Sequence, residues 1–298
     1  MSTVTLAAGT RSTGDTRRRR SRAAFWLALA ILGILIVLAA LAPLVTPYSP
    51  TDQDLTNRFA GPSGAHLLGT DSYGRDVLSR LIWGGRSSFV AVTIAVGVGL
   101  TVGLPWGLGA GYGPAWLRML LLRAADAFLA FPALVLAVAI TGVLGPDLVT
   151  AMCAVGVVFA PVIARLTAGG VAQVRRSEYV LCAQLAGCPT HVTLLRHVLP
   201  NAVGPVIVQA TLFSGLAFVI EAALSFIGLG IQPPTPSWGG DLNNAYQHIL
   251  SAPNQVLAPG VLIAIVVMAT YRIGDEVRDR LSGLGSAPAA EQSRREAE

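Results

Sequence analysis

Six long apolar runs separated by polar stretches dominate the chain, at residues 23–45, 87–112, 124–144, 148–168, 202–229 and 257–273. Each approaches or exceeds the roughly 20 residues that a helix needs to cross about 30 Å of hydrocarbon. The pattern predicts an all-α membrane protein with six transmembrane helices, and it lacks the ten-residue alternation of a β-barrel. Only Gly145, Pro146 and Asp147 part the third run from the fourth, which predicts a tight hairpin. The second run carries Gly99, Gly103 and Gly107, with more glycines beside them. A small residue at every fourth position lets helices approach closely. This predicts packing against a neighbouring span or a partner chain, with a direct substrate role as the alternative. It is not a dinucleotide fingerprint, because the third glycine is misplaced and no strand precedes it.

The polar stretches have patterns of their own. Residues 178–201, EYVLCAQLAGCPTHVTLLRHVLPN, read as a short helix, a turn at Gly187 and a second short helix. Glycine supplies the left-handed residue after a helix end, and Pro189 suits a first turn. Pro200 disfavours helical backbone at Leu199 and predicts a stop there. Val192, Leu195 and Leu199 then share one face. In residues 67–89, Gly69, Thr70, Asp71, Tyr73 and Gly74 are turn chemistry. Asp76 to Trp83 follows as a short amphipathic helix, capped by Asp71 or Ser72, with Trp83 at headgroup level. Residues 231–240, IQPPTPSWGG, cannot continue a helix; they predict a rigid loop with Trp238 at the membrane interface.

Composition sharpens this picture. Charged residues make up 12% of the 298 and apolar ones 53%, at a mean hydropathy of +0.62; soluble domains carry about 25% charged residues. All 21 basic residues are arginine. Without lysine the chain has no phosphate-binding P-loop and no Schiff-base amine, so any ATP-driven step needs a separate subunit. Cys153, Cys182 and Cys188 lack metal-ligand or CxxC spacing, and His66, His191, His197 and His248 are dispersed. No catalytic set falls on one face, which disfavours an enzyme. The arginines before residue 23 mimic a signal peptide; the apolar run after them is long enough to remain as the first span. With an inner N-terminus, only Arg58, Arg75, Arg80 and Arg86 fall outside and the other 17 arginines inside, as the positive-inside rule asks. The expected organisation is a disordered Arg-rich tail at 1–22, a first span at 23–45 and an outer loop at 46–86. A five-helix core at 87–281 follows, with an inner loop at 176–200, and then a tail at 282–298.

The inner loop resembles the coupling loop of ABC importer permeases, in which Glu-Ala-Ala, three residues, Gly, nine residues, an aliphatic, any residue and Leu-Pro recur. Gly187 and Leu199-Pro200 fit; Leu181-Cys182-Ala183 replaces Glu-Ala-Ala, and His197 takes the aliphatic position. A narrower resemblance, to the C-type permease of peptide importers, spans about residues 23–281. It rests on Leu68-Gly69-Thr70-Asp71 with Gly74-Arg75-Asp76, on Asp126 with Leu129-Ala130-Phe131-Pro132, and on Arg196-His197 before Leu199-Pro200-Asn201. It continues in residues 221–230 (EAALSFIGLG), 232–239 (QPPTPSWG) and Gly274-Asp275 with Arg278-Asp279.

The resemblance implies a type I ABC importer permease fold and a multi-pass subunit of the bacterial inner membrane. It implies a second homologous permease, two cytoplasmic ATPases that bind the ATP and magnesium, and an extracytoplasmic substrate-binding protein. The chain itself would bind no cofactor and no nucleic acid. Glu178, Ala183, Gly187, Thr190, His191, Leu195, Arg196, His197, Leu199 and Pro200 would meet the ATPase. Peptides are the implied cargo, with nickel chelates, glutathione or haem as alternatives.

Gate or pathway candidates are Glu221, Ser225, Phe226, Gln232, Trp238 and Asp126. A charge at mid-bilayer costs about 2.5–3.5 kcal/mol on insertion scales, so Asp126 and Glu221 should face protein or water. Glu221 either lines the pathway or fixes packing through hydrogen bonds. Asp126 is expected to pair with Arg123 or Arg118. A proton-coupled carrier working through these two acids is the rival class.

Overall fold

The computed structural model describes residues 12–295, with side chains described for 23–281 except Asn254. Residues 1–11 and 296–298, parts of the two expected tails, lie outside the described residues. The remainder of those tails is helical. α1 (Ser12–Ala40) begins eleven residues before the first apolar run, and the last helix continues to Arg295. Arginine, alanine and glutamate are good helix formers, so helical propensity carries on past the apolar run. Pro43 ends the first run early, leaving α2 (Ala42–Val45) as a separate turn.

α3 (Val77–Tyr112) is one helix of 36 residues, about 54 Å long at 1.5 Å per residue. It absorbs the amphipathic helix predicted at Asp76–Trp83. Asp76 is its cap, accepting from the Ser79 amide at 2.8 Å. Asp71, predicted for that role, instead takes the Tyr73 and Arg75 amides and holds the preceding loop. Gly84 and Gly85 do not interrupt the helix; the Trp238 indole packs against them, 3.0 and 3.2 Å from where their Cβ atoms would be.

The third run is not a single straight span. α4 (Ala115–Leu129) and α5 (Ala133–Leu144) meet at 87° across Ala130, Phe131 and Pro132. Proline is the residue before α5, where its missing amide costs nothing. Gly145, at φ +98°, and Asp147, which caps α6 (Leu148–Val174) through the Val149 and Thr150 amides, then make the hairpin. α10 (Gly204–Phe226) and α12 (Asn254–Arg295) complete the spans. Among the described residues five helices are long and apolar enough to cross a membrane, six with the bent pair counted as one.

α3 and α6 are pressed together along the glycine stripe. A Cβ on Gly103 would lie 2.7 Å from the Ala160 carbonyl oxygen, and one on Gly107 2.5 Å from that of Ala164. Gly99 faces Phe159 and Ile163 in the same seam, so the stripe brings backbone against backbone within this chain. Phe159 stacks on Phe213 of α10 with ring centres 4.1 Å apart. The seam leaves α3 with two free ends: one joins α11 (Trp238–Gln247) and the loop at 46–76, and the other joins α7 (Glu178–Leu185).

Candidate functional site

At the α7 end, the chain leaves α6, forms α7 and reverses at Gly187. Gly187 has φ +77°. Its amide donates to the Gln184 carbonyl, and the Cys188 amide reaches back to that of Ala183, both at 3.0 Å. Those two bonds form the helix-ending motif that a left-handed glycine permits. After Pro189 come one turn, α8 (Thr190–Val192), a π-helical stretch (Thr193–Val198) and α9 (Leu199–Ala202).

The predicted stop at Pro200 does not occur. Leu199 is helical at φ −58°, and its amide bonds the Leu194 carbonyl five residues back. The wider turn admits a residue without an amide, so the proline is carried inside the helical path. It also rotates the face. Thr193, Val198 and Ala202 are buried, while Leu195 is exposed and Val192 and Leu199 are half-buried, so the predicted stripe is not the packed one. Val198 and Ala202 meet Val171 and Val180, with Leu108, Tyr112, Val174 and Leu194 around them.

Outside that small core lies a free surface. Glu178, Gly187, Thr190, His191, Arg196 and Pro200 are exposed, and Ala183 and His197 half-buried. Leu185 is 89% exposed, and Tyr179, Leu181 and Leu195 stand out with it. Exposed apolar side chains gathered on one short loop make it a candidate contact surface. Tyr112, at the end of α3, joins this loop to the bundle: Arg175 packs 4.6 Å over its ring and donates to its carbonyl at 3.1 Å, and Gln184 donates to its hydroxyl at 3.3 Å. Sequence reasoning missed Tyr112, Arg175 and Gln184, whose spacing of 63 and 72 positions leaves no local signal.

At the opposite end, α3 and α11 are tied by buried charge. Arg80 donates from Nε to Asp241 at 2.8 Å and from Nη1 to the Pro50 carbonyl at 2.9 Å. Arg75 pairs with Asp71 at 2.6 Å. Burial pushes the Asp241 carboxyl above the usual carboxylate range, while the Arg80 guanidinium pulls it back. Trp238 is not at a membrane interface. It is 2% exposed, donates to the Leu81 carbonyl at 2.8 Å and packs between Phe89 and Phe218. A Cβ on Gly239 would overlap the backbone of Ala222, so Trp238-Gly239 lets α11 sit on α10.

Beneath α11, Glu221 is buried between two hydroxyls: Ser88 Oγ and Ser225 Oγ each donate to it at 3.0 Å. Ser225 Oγ also accepts the Ile231 amide at 3.2 Å. Phe226 gives its carbonyl to Asn243, and Gln232 bonds the Gly228 and Gly230 carbonyls. A cavity of about 460 Å³ opens beside Ser225, between Gln53, Arg75, Gln232, Asn243, Asn244 and Gln247 among others. Asp126 is elsewhere, on α4, and its ion-pair partner is Arg165 of α6 rather than Arg123 or Arg118. Among the described residues no group of three or more His, Cys, Asp or Glu side chains could hold a metal.

Comparison with known proteins places this architecture. A family model described as the inner membrane component of binding-protein-dependent transport systems matches residues 103–282. A second, the N-terminal transmembrane domain of oligopeptide transport permease C, matches residues 15–62. The dipeptide transport system permease protein DppC of Alkalihalophilus pseudofirmus is 42% identical over 258 residues, 85% of each chain. The di/tripeptide transport system permease protein DppC of Pseudomonas aeruginosa is 42% identical over 83% of this chain and 84% of its own. The glutathione transport system permease protein GsiD of Escherichia coli is 37% identical over 89% and 88%. An inward-facing structure of the MetNI methionine ABC transporter superposes with a TM-score of 0.56 at 19% identity, covering 68% of this chain and 96% of that one. That likeness is one of fold, the type I ABC importer permease.

Proposed function

Because the chain belongs to the family of inner membrane components of binding-protein-dependent transport systems, we propose that it is one half of the translocation path of an ATP-driven importer of di- and oligopeptides. A second, homologous permease supplies the other half. Two ATPase subunits holding ATP and magnesium dock at the α7 end, and a substrate-binding protein delivers cargo at the α11 end. The arginine asymmetry supports an α7 end in the cytoplasm, with both termini on that side of the plasma membrane.

The observation that carries this reading is the exposed apolar surface of α7 and the turn after Gly187, clamped by Tyr112 to a helix whose far end is bonded to α11. A push on α7 reaches the base of α3. The glycine seam makes α3 and α6 one stiff pair, so movement passes to Arg80, Asp241 and the loops above Ser225. The proton-coupled alternative fits less well. Asp126 is held by Arg165, and Glu221 is enclosed by two serine hydroxyls. Glutathione, the cargo named for one relative, is itself a small peptide and suits the same path.

The test is copurification in mild detergent, where the ATPase subunits should accompany this chain and Leu185→Asp should release them. Orientation is read from Cys182, which is exposed on α7. A membrane-impermeant thiol reagent should label it in inverted vesicles only; labelling from the outer side would overturn the arrangement.

A further inference from the structure

We propose that the cavity at the α11 end is a binding site for the main chain of a short extended peptide, a station on the route through this subunit. The inference rests on the importer reading above and adds the place and the chemistry of contact. At about 460 Å³ the cavity lies within the 300–1,000 Å³ span of small-molecule sites.

Its walls are rich in side-chain amides, which carry the same donor and acceptor pair as a peptide bond. Three of them are already oriented by hydrogen bonds within the protein, and four keep a valence unused. Asn244 Oδ1 accepts from Ser72 Oγ at 2.6 Å, leaving its Nδ2 donor. Gln247 Nε2 donates to Asn243 at 3.2 Å and Gln232 Nε2 to two carbonyls, leaving both Oε1 acceptors. Gln53 has no hydrogen-bond partner among the described residues and keeps both ends. Donors and acceptors therefore occur together, as a main chain requires and a purely anionic or cationic ligand does not.

Charge points the same way. Arg75 and Arg80 reach the cavity, but Asp71 and Asp241 pair them. The wall is thus nearly neutral and does not sort peptides by their side-chain charge. Pro233 and Pro234 form part of the rim without donating an amide, which leaves recognition to the amide side chains. The floor is Ser225, whose hydroxyl donates to Glu221 and receives the Ile231 amide, so the floor is continuous with the buried contact between α3 and α10.

The experiment uses the assembled complex in detergent without its binding protein, and a tripeptide carrying a diazirine side chain. After illumination, adducts on the chain are mapped by mass spectrometry. The wild type should be labelled around residues 53 and 225–247, and unrelated unlabelled tripeptides should compete. Gln53→Ala with Gln247→Ala, both exposed positions, should lower labelling about fivefold or more for two lost hydrogen bonds, at unchanged complex yield. A wild-type complex that imports peptide but is not labelled there overturns the proposal and spares the importer reading. Equal labelling of the double variant overturns it as well. If the variant instead binds the binding protein more weakly while labelling is unchanged, the cavity is a protein-docking surface and the proposal fails. A complete complex that imports no peptide overturns the importer reading itself.

Discussion

Gly187→Val is the sharpest perturbation of the α7 loop. Open space surrounds the position: no atom lies within 4 Å of an added Cβ. The substitution therefore acts through the backbone alone. At φ +77° an L-residue bears roughly 1–2 kcal/mol relative to glycine, and a β-branched one sits at the costly end. The only local return is the pair of 3.0 Å bonds to Gln184 and Ala183, each worth about 0.5–1.5 kcal/mol net. Strain and return are of one size, so the turn opens part of the time instead of unfolding the bundle. One to two kcal/mol corresponds to a factor of roughly 5–30 in population. Uptake by the reconstituted complex should fall within that range, with complex yield and basal ATP hydrolysis near wild type. Gly187→Asn should retain most uptake, because asparagine tolerates the left-handed region. Wild-type uptake by the valine variant, or equal loss in both, would sink the argument that this backbone geometry transmits the stroke.

Other expectations follow from the same contacts. Gly103→Leu drives a side chain into the Ala160 carbonyl and should lower thermal stability in detergent by at least about 1–3 kcal/mol, whereas Gly97→Leu enters open space and should be near neutral. Arg80→Gln leaves the buried Asp241 carboxylate without its guanidinium and should destabilise by about 3 kcal/mol near neutral pH. Burial already holds the Asp241 carboxyl above its unfolded value, so taking up a proton there favours the folded state, the more so without Arg80; this group's contribution should rise in both proteins as pH falls, and the gap between the two melting curves should narrow toward acid. Glu221→Gln keeps a partner for Ser88 and Ser225 and should transport normally; Glu221→Leu removes the acceptor of both hydroxyl protons and should cost about 1–3 kcal/mol. Loss of uptake in the glutamine variant would instead favour a proton-carrying role.

Legibility followed the range of the forces involved. Apolar runs fix spans because the bilayer acts on each segment separately, so five of the runs and the Gly145–Asp147 hairpin were readable, whereas the bend inside the third run was not. The turn at Gly187 was readable for a similar reason: its cause is local backbone chemistry. Long-range pairing left no trace. Arg80 and Asp241 are 161 positions apart, Trp238 and Leu81 157, and nothing in either neighbourhood announces the other. Trp238 shows the error that results. Alone, a tryptophan after prolines reads as an interface anchor; beside Gly84 and Gly85 on another helix it becomes a core residue. Pro200 and Pro132 make the complementary point. Both are helix-breaking by local rule, yet one is carried through a π turn and the other marks an 87° bend, because the packing of Val198 and Ala202 at one site is absent at the other. The residues that join the two ends of the molecule, Tyr112 and Arg80, were the least visible in the sequence. Their partners lie in other segments of the chain, and only the glycine seam that fixes α3 in place brings them within reach.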